Sequence, residues 1–336
     1  MLTKSIKYKT YHLGIEILRV IMSFWVILYH CLKTNNKYLY KYILSKKFHV
    51  PTFMFISFYY FYQHLKLKNI NKIKERILRL FIPYFIWPLF IWILNYYFRY
   101  NRCNIKIYLI DLLYQLTYGF KVYGIIWFNG NLILFTIFFA IISLIFRKNH
   151  TNILQFISII IYMFNCSGYI PKISEQKLLW KFLGRILGMF PIAVAGLSIS
   201  SMNLLIELKK YRNRAIFICF MNIFFLIKYD IFIIKNGYVY RSILFIIAAI
   251  NFFFGFALID FNNINNRIIK IIKYITKYTG GIYYIHMIVM KNLRKKIKVI
   301  NNRTVNGCII IYLFSYIICF FGIKIFGKTK LRNLFS

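Results

Sequence analysis

Two ionisable residues, Arg19 and His30, lie inside the first apolar segment of the chain, Leu13–Leu32. Facing lipid, each would cost about 3 kcal/mol or more. Eleven helical steps of about 100° bring both to one face of a helix, about 16 Å apart along its axis. Glu16 lies on the same stripe, whereas Trp25 lies on the opposite face. A polar stripe on a membrane helix indicates that this side faces a protein interior or an aqueous cavity.

A histidine in such a cavity is able to do acid–base chemistry near neutral pH. His30 would take a proton from a hydroxyl group, and the activated alcohol would attack a thioester or another acyl donor. The alternative is a histidine that hydrogen-bonds between helices. Arg19 favours a cavity that takes an anionic group, because a buried cation is a costly way to fix helix packing. Glu16 precedes Arg19 by three residues, so it is placed to neutralise that charge.

A second group of cations precedes the third apolar segment. Lys72, Arg76 and Arg79 share one helical face and form a forked cationic site suited to phosphate or pyrophosphate. The alternative is a solvated flank that contacts lipid headgroups.

Late in the chain, Tyr283 and His286 are three residues apart and are therefore helical neighbours, with Thr276 and Thr279 on the same side. They form either an acceptor-binding or proton-handling wall, or a set of interhelical hydrogen bonds. Trp127 begins another apolar segment, where anchoring at the membrane interface is the default role of tryptophan.

The composition excludes an ordinary soluble protein. Of 336 residues, 60% are hydrophobic, 21% aromatic and only 16% charged, which indicates a polytopic membrane protein. The formal charge of +39 comes from short Lys and Arg runs between apolar segments, so lipids are expected partners and nucleic acid is not. Six scattered cysteines have no metal-ligand spacing, so neither a metal site nor a disulfide framework is indicated.

Apolar segments long enough to cross a bilayer recur along the whole chain, at 13–32, 50–65, 80–98, 125–146, 153–170, 183–202, 215–234, 242–259, 274–290 and 307–326. They predict an all-α fold with about ten transmembrane helices in one integral-membrane domain, 1–336. Short basic connections such as Lys66–Arg79 and Arg267–Lys277 separate them. The first segment is full length and contains charged residues, so it is expected to be a retained span. Lys and Arg totals are nearly equal on the two sides and give no orientation.

Six motifs follow one another along the chain. They are Arg19 with His30 after ten residues, Val50–Ser57, Arg76-Ile77-Leu78-Arg79 with Ile82-Pro83-Tyr84 and Trp87, Ile126-Trp127-Phe128, Gly184-Arg185 with Phe190-Pro191 and Gly196, and Tyr283-Tyr284-Ile285-His286. In this order they resemble the membrane acyltransferase-3 family. One departure is Phe58, which stands where that family has glycine.

The resemblance implies a stand-alone integral-membrane acyltransferase that moves an acyl group, expected to be acetyl, from acyl-CoA to a hydroxyl of a surface glycan or lipid-linked sugar. It implies that His30 is the catalytic base, that the donor binds near Arg76 and Arg79, and that the amino terminus is cytoplasmic at a bacterial inner membrane. No permanently bound cofactor is expected.

Further site residues are expected around this centre. Arg19 would hold a polar or anionic part of donor or acceptor, and Lys72 would join the donor site. The residues expected to bind substrate are Glu16, Ser57, Trp127, Tyr283 and His286.

The rival interpretation is a proton-coupled transporter or flippase, with His30 and His286 as a proton relay and Arg19 bound to an anionic or glycan substrate. The sequence has no evident inverted repeat and no paired broken helices, which disfavours it. A third interpretation is an inactive scaffold that neither binds CoA nor moves a solute.

Overall fold

A computed structural model describes residues 13–32, 48–99, 109–110, 112–115, 126–147, 149–166, 178–229, 243–261, 264–294, 297, 300 and 304–335. Over these residues the fold is helical, without strands. The helices are α1 Leu13–Cys31, α2 His49–Lys66, α3 Ile70–Arg99, α4 Trp127–Phe146, α5 His150–Cys166, α6 Leu178–Ser201, α7 Leu204–Lys209, α8 Arg212–Tyr229, α9 Ile243–Ala257, α10 Asn266–Thr276, α11 Thr279–Arg294 and α12 Val305–Phe326, followed by a 3-10 helix, Lys330–Leu334.

Five of the described helices are long and apolar enough to cross a membrane. They are α1, the Ile70–Ile93 part of α3, α4, the Phe182–Ser201 part of α6, and α12. Large apolar side chains such as Phe156, Phe217 and Ile325 are exposed, as expected for lipid-facing surfaces. The chain is therefore a polytopic, all-helical membrane protein, and the predicted fold class is confirmed. The predicted span ends 125, 167–170, 230–234 and 242 lie outside the described residues.

Two predicted boundaries differ from the structure. Helix α3 begins at Ile70, ten residues before the predicted segment 80–98, because the basic run that precedes the apolar residues is itself helical. The predicted ninth span, 274–290, is divided between α10 and α11. Helix α10 occupies most of the predicted connection Arg267–Lys277, and it is amphipathic, with Ile and Lys residues on different faces. Hydropathy alone does not detect such a helix, because its average is low.

Helix α1 lies inside the helix assembly. It contacts α2, α9, α10, α11 and α12. The ring of Trp25 meets Phe252 of α9 edge-on at 6.4 Å, and the Ser23 hydroxyl lies 3.2 Å from the Tyr312 hydroxyl of α12. The polar stripe of α1 consequently faces other helices, as the stripe predicts.

Helices α2 and α6 approach each other closely at a glycine. A Cβ atom on Gly196 would lie only 2.4 Å from the backbone oxygen of Phe55. Main-chain atoms in a packed helix cannot move aside as a flexible side chain does, so glycine is required for this contact.

We expect Gly196→Ala to lower the thermal stability of the purified protein, because overpacking of this kind costs about 1–3 kcal/mol. Gly255→Ala is the matched control, since its new Cβ would meet Cys219 Cβ at an ordinary 3.5 Å. Both changes bring the same gain in helix propensity. Equal unfolding temperatures for the two variants in detergent would contradict the close α2–α6 packing.

Candidate functional site

A cavity of about 560 Å³ lies between α1, α2, α3, α4, α10 and α11. Its lining contains one carboxylate, Glu16, and five cationic side chains: Arg19, Arg76, Arg79, Lys273 and Lys277. Such an excess of positive charge, bounded by apolar helices, suits an anionic ligand.

Arg19 has two partners at the cavity wall. Its Nη1 donates to Glu16 Oε2 at 3.1 Å, and its Nη2 donates to Thr279 Oγ1 of α11 at 3.3 Å. The Arg19 side chain is 35% exposed and that of Glu16 is 17% exposed. Glu16 therefore offsets part of the Arg19 charge, Thr279 fixes the guanidinium, and the remainder of the group faces the cavity.

Arg76 joins three helices. Its Nη2 donates to Ser57 Oγ of α2 at 2.7 Å, and its Nε donates to Thr136 Oγ1 of α4 at 3.0 Å. The guanidinium carbon also lies 5.2 Å from the ring centre of Phe58 and 4.8 Å from that of Phe61. Arg76 is buried. Its hydrogen bonds are used within the protein, so it shapes the cavity wall and contributes charge to it.

The predicted three-cation fork on α3 is not formed. Arg79 faces the cavity, whereas Lys72 lies outside it and pairs with Glu75 through an Nζ to Oε2 distance of 2.6 Å. Seven residues separate Lys72 from Arg79, about 10 Å along the helix, so the two share a face but not a depth.

A hydrogen-bonded chain forms another wall. The Tyr284 hydroxyl donates to Asn129 Oδ1 at 2.7 Å, and Asn129 Nδ2 donates to the Leu80 carbonyl at 3.2 Å. This links α11, α4 and α3 beside the cavity. Neither Asn129 nor Tyr284 was among the predicted site residues, although an asparagine within an apolar span is a signal of interhelical contact.

Two histidines lie against each other at the other end of the stripe. The ring centres of His30 and His286 are 5.3 Å apart. His286 Nδ1 lies 2.8 Å from the Tyr283 carbonyl, which only accepts hydrogen bonds, so Nδ1 carries the proton. His286 Nε2 therefore has a free lone pair, and it has no hydrogen-bond partner among the described residues. The pair thus contains an imidazole whose Nε2 has no hydrogen-bond partner among the described residues.

The histidine pair lies beyond the cationic cavity. Neither His30 nor His286 lines it, whereas Tyr283 does, and the Tyr283 ring centre is 6.2 Å from that of His286. The sequence predicts one chamber for Arg19 and His30, but the structure places only Arg19 there. A shared helical face does not imply a shared cavity when about 16 Å separates the two positions. Tyr283 connects the two regions.

Of the remaining residues predicted to bind substrate, some line the cavity and one does not. Glu16 and Ser57 line the cavity. Trp127 does not line it, and its ring instead lies 5.1 Å from the guanidinium carbon of Arg185 on α6. Trp127 therefore holds a cation of a neighbouring helix.

Sequence reasoning also missed Lys273, Lys277 and Asn333, which all line the cavity. The two lysines are four residues apart and share one helical face, which is a readable signal once α10 is known to be a helix. Asn333 has no such signal, because its position depends on how the end of the chain folds back.

A scan against protein families matches residues 12–324 to the family described as Acyltransferase domain. The chain belongs to the acyltransferase-3 family. Searches of curated proteins and of solved structures give no significant match. The family and the apolar helices together identify the protein as an integral-membrane acyltransferase. Of the cavity-lining residues, Asn333 lies outside the matched range.

In this acyltransferase-3 protein, the structure assigns different roles to Arg76 and Arg79. We expect Arg76→Gln to lower the unfolding temperature by several degrees, since it removes hydrogen bonds that a buried charged group makes to Ser57 and Thr136, each contributing about 1.5–3 kcal/mol. Arg79→Gln should leave it nearly unchanged, because Arg79 faces the cavity. Thermal unfolding in detergent measures both, and an equally destabilised Arg79→Gln variant would contradict the assignment.

Proposed function

We propose that this membrane acyltransferase takes acyl-CoA as its donor and binds the phosphates of CoA in the cationic cavity. The observation that carries the proposal is the grouping of five cations and one carboxylate around a single space of about 560 Å³. That volume is typical of ligand pockets, which span about 300–1,000 Å³. Arg79 makes the direct phosphate contact, and Arg19, Lys273 and Lys277 add to the attraction.

The distance between charge and imidazole favours an elongated donor. Arg19 and His30 are about 16 Å apart along α1. In acyl-CoA the phosphates and the thioester lie at opposite ends of an extended pantetheine arm. With the phosphates at Arg79, the thioester reaches past Tyr283 towards the histidine pair. A compact anion is too short to contact both the cationic cavity and the histidine pair.

The proposed chemistry is a direct acyl transfer. The imidazole of His30 takes the proton from the acceptor hydroxyl, and the hydroxyl oxygen attacks the thioester carbonyl. The carbon–sulfur bond then breaks, and the CoA thiolate leaves with the proton from the imidazolium. The products are an ester and free CoA. His286 is a positioning residue that lies against His30, and Arg19 holds a polar or anionic part of donor or acceptor.

The acceptor is proposed to be a hydroxyl of a surface glycan or lipid-linked sugar, and the acyl group to be acetyl. Glu16 is suited to accept hydrogen bonds from hydroxyl or amino groups of the donor at the cavity end of α1, because it lines the cavity and keeps some exposure, whereas the acceptor hydroxyl lies at His30. We place the protein in a bacterial inner membrane with a cytoplasmic amino terminus. That orientation puts the cavity, which lies at the amino-terminal end of α1, on the side where acyl-CoA is made.

We expect His30→Gln to reduce acyl transfer by about 100-fold or more, the usual contribution of a general base. The readout is the O-acetyl content of cell-envelope glycan, measured by mass spectrometry in strains with equal protein levels. His150→Gln is the matched control, because His150 stacks on Tyr62 away from both the cavity and the histidine pair. Unchanged acetylation in the His30 variant would reject the proposed base.

Donor binding is tested by titrating CoA into the purified protein. Arg79→Gln should weaken binding by about tenfold or more, since a hydrogen bond to a charged group contributes about 1.5–3 kcal/mol. Lys72→Gln is the control on the same helix and should leave the affinity unchanged, because Lys72 lies outside the cavity. No CoA binding by the wild type would overturn the proposed donor, and equal losses in both variants would overturn the proposed contact.

A further inference from the structure

The end of the chain closes one side of the cationic cavity. We call Lys330–Phe335 the C-terminal tail; it consists of the 3-10 helix and the residue after it. Asn333 of this tail lines the cavity. The family match ends at residue 324, so this part of the wall lies beyond the matched region.

The tail is fixed by close contacts at its last described residue. Phe335 lies against Gly281 of α11 and Gly322 of α12. A Cβ atom on Gly281 would lie 2.4 Å from the Phe335 oxygen, and one on Gly322 would lie 2.4 Å from the Phe335 ring. The ring also stacks on Phe326 at 5.8 Å and meets Trp87 edge-on at 6.0 Å. The two glycines thus form a notch that Phe335 occupies.

Hydrogen bonds hold the tail at both ends of the 3-10 helix. Thr329 Oγ1 accepts from the Leu331 amide at 3.3 Å and caps its start. Trp87 Nε1 donates to the Leu334 carbonyl at 3.4 Å and ties its end to α3. Asn333 lies between these fixed points, so its position is set by its neighbours.

The tail also divides two different environments. Leu334 and Phe335 line a second cavity of about 520 Å³, whose wall is almost wholly apolar and includes Ile285 and Val289 of α11. Asn333 faces the cationic cavity instead. The change from asparagine to leucine and phenylalanine therefore matches the change from a polar space to an apolar one.

We propose that Asn333 contacts the bound donor, and that the C-terminal tail is thereby a determinant of donor recognition. This rests on the proposed function. The carboxamide offers N–H donors to phosphate oxygens and an acceptor to hydroxyl or amino groups. Its side chain makes no hydrogen bond within the described part of the chain, so its full bonding capacity is available to a ligand.

The first test compares CoA affinities. Asn333→Ala should weaken CoA binding by about tenfold. Leu331→Ala, on the exposed side of the same 3-10 helix, should leave it unchanged. If the wild type binds CoA and Asn333→Ala binds it with the same affinity, this inference alone is overturned. No binding by the wild type overturns the proposed donor, and this inference with it.

A second test measures whether the tail positions Asn333. Phe335→Ala removes the side chain held in the glycine notch and should weaken CoA binding in the wild-type background. In the Asn333→Ala background the same change should have little further effect, because the contact it supports is already absent. Independent, additive losses would show that Phe335 does not act through Asn333.

A third test locates position 333 directly. Asn333→Cys should react with a charged, membrane-impermeant thiol reagent in the full-length protein, and saturating CoA should slow that reaction by about tenfold. Leu331→Cys should react at a rate that CoA does not change. The wild type, with its own six cysteines, supplies the background. Reaction at position 333 that CoA leaves unchanged would overturn the contact.

Discussion

The structure depends on one constraint: an ionised side chain within the apolar layer must face protein or water. Arg19 meets it through Glu16 on its own helix and Thr279 on α11, while the rest of its guanidinium faces the cavity. Turning that stripe to lipid would cost about 3 kcal/mol or more for each charge. The rotation of α1 is therefore fixed, and α2, α9, α10, α11 and α12 gather around it. The cavity forms because the polar stripe of this one helix must face protein or water.

Hydropathy predicts where helices occur in this protein because length and apolarity are local properties of the chain. Each apolar segment contains a helix. The predictions fail where the controlling property is not average apolarity. Helix α10 has isoleucine and lysine residues on different faces, so its average hydropathy is low and a window average assigns it to a connection. Helix α3 extends back through a basic run, since lysine, arginine and glutamate are themselves good helix formers.

The site, like the helices, is predictable only where it depends on residues that are close together in the sequence. Helical spacing correctly groups Glu16 with Arg19, and the basic run correctly includes Arg79, because both depend on neighbours within one helix. Spacing does not give the partner helix. It therefore cannot tell that Arg76 is enclosed by α2 and α4, that Trp127 meets Arg185, or that Asn333 returns to the cavity from the far end of the chain. These contacts join residues that are distant in sequence, and they are decided by how the helices pack.

The separation of the cations from the histidine pair has a physical advantage for base catalysis. A general base becomes positively charged when it takes a proton. A fixed cation at about 4 Å would oppose that change by about 4 kcal/mol at an effective dielectric constant of 20, and the opposition falls to about 1 kcal/mol at 16 Å. The distance along α1 would thus allow one helix to carry both the cation proposed to attract an anionic donor and the imidazole proposed to accept a proton. A bound polyanion would neutralise the cavity and reduce the remaining repulsion.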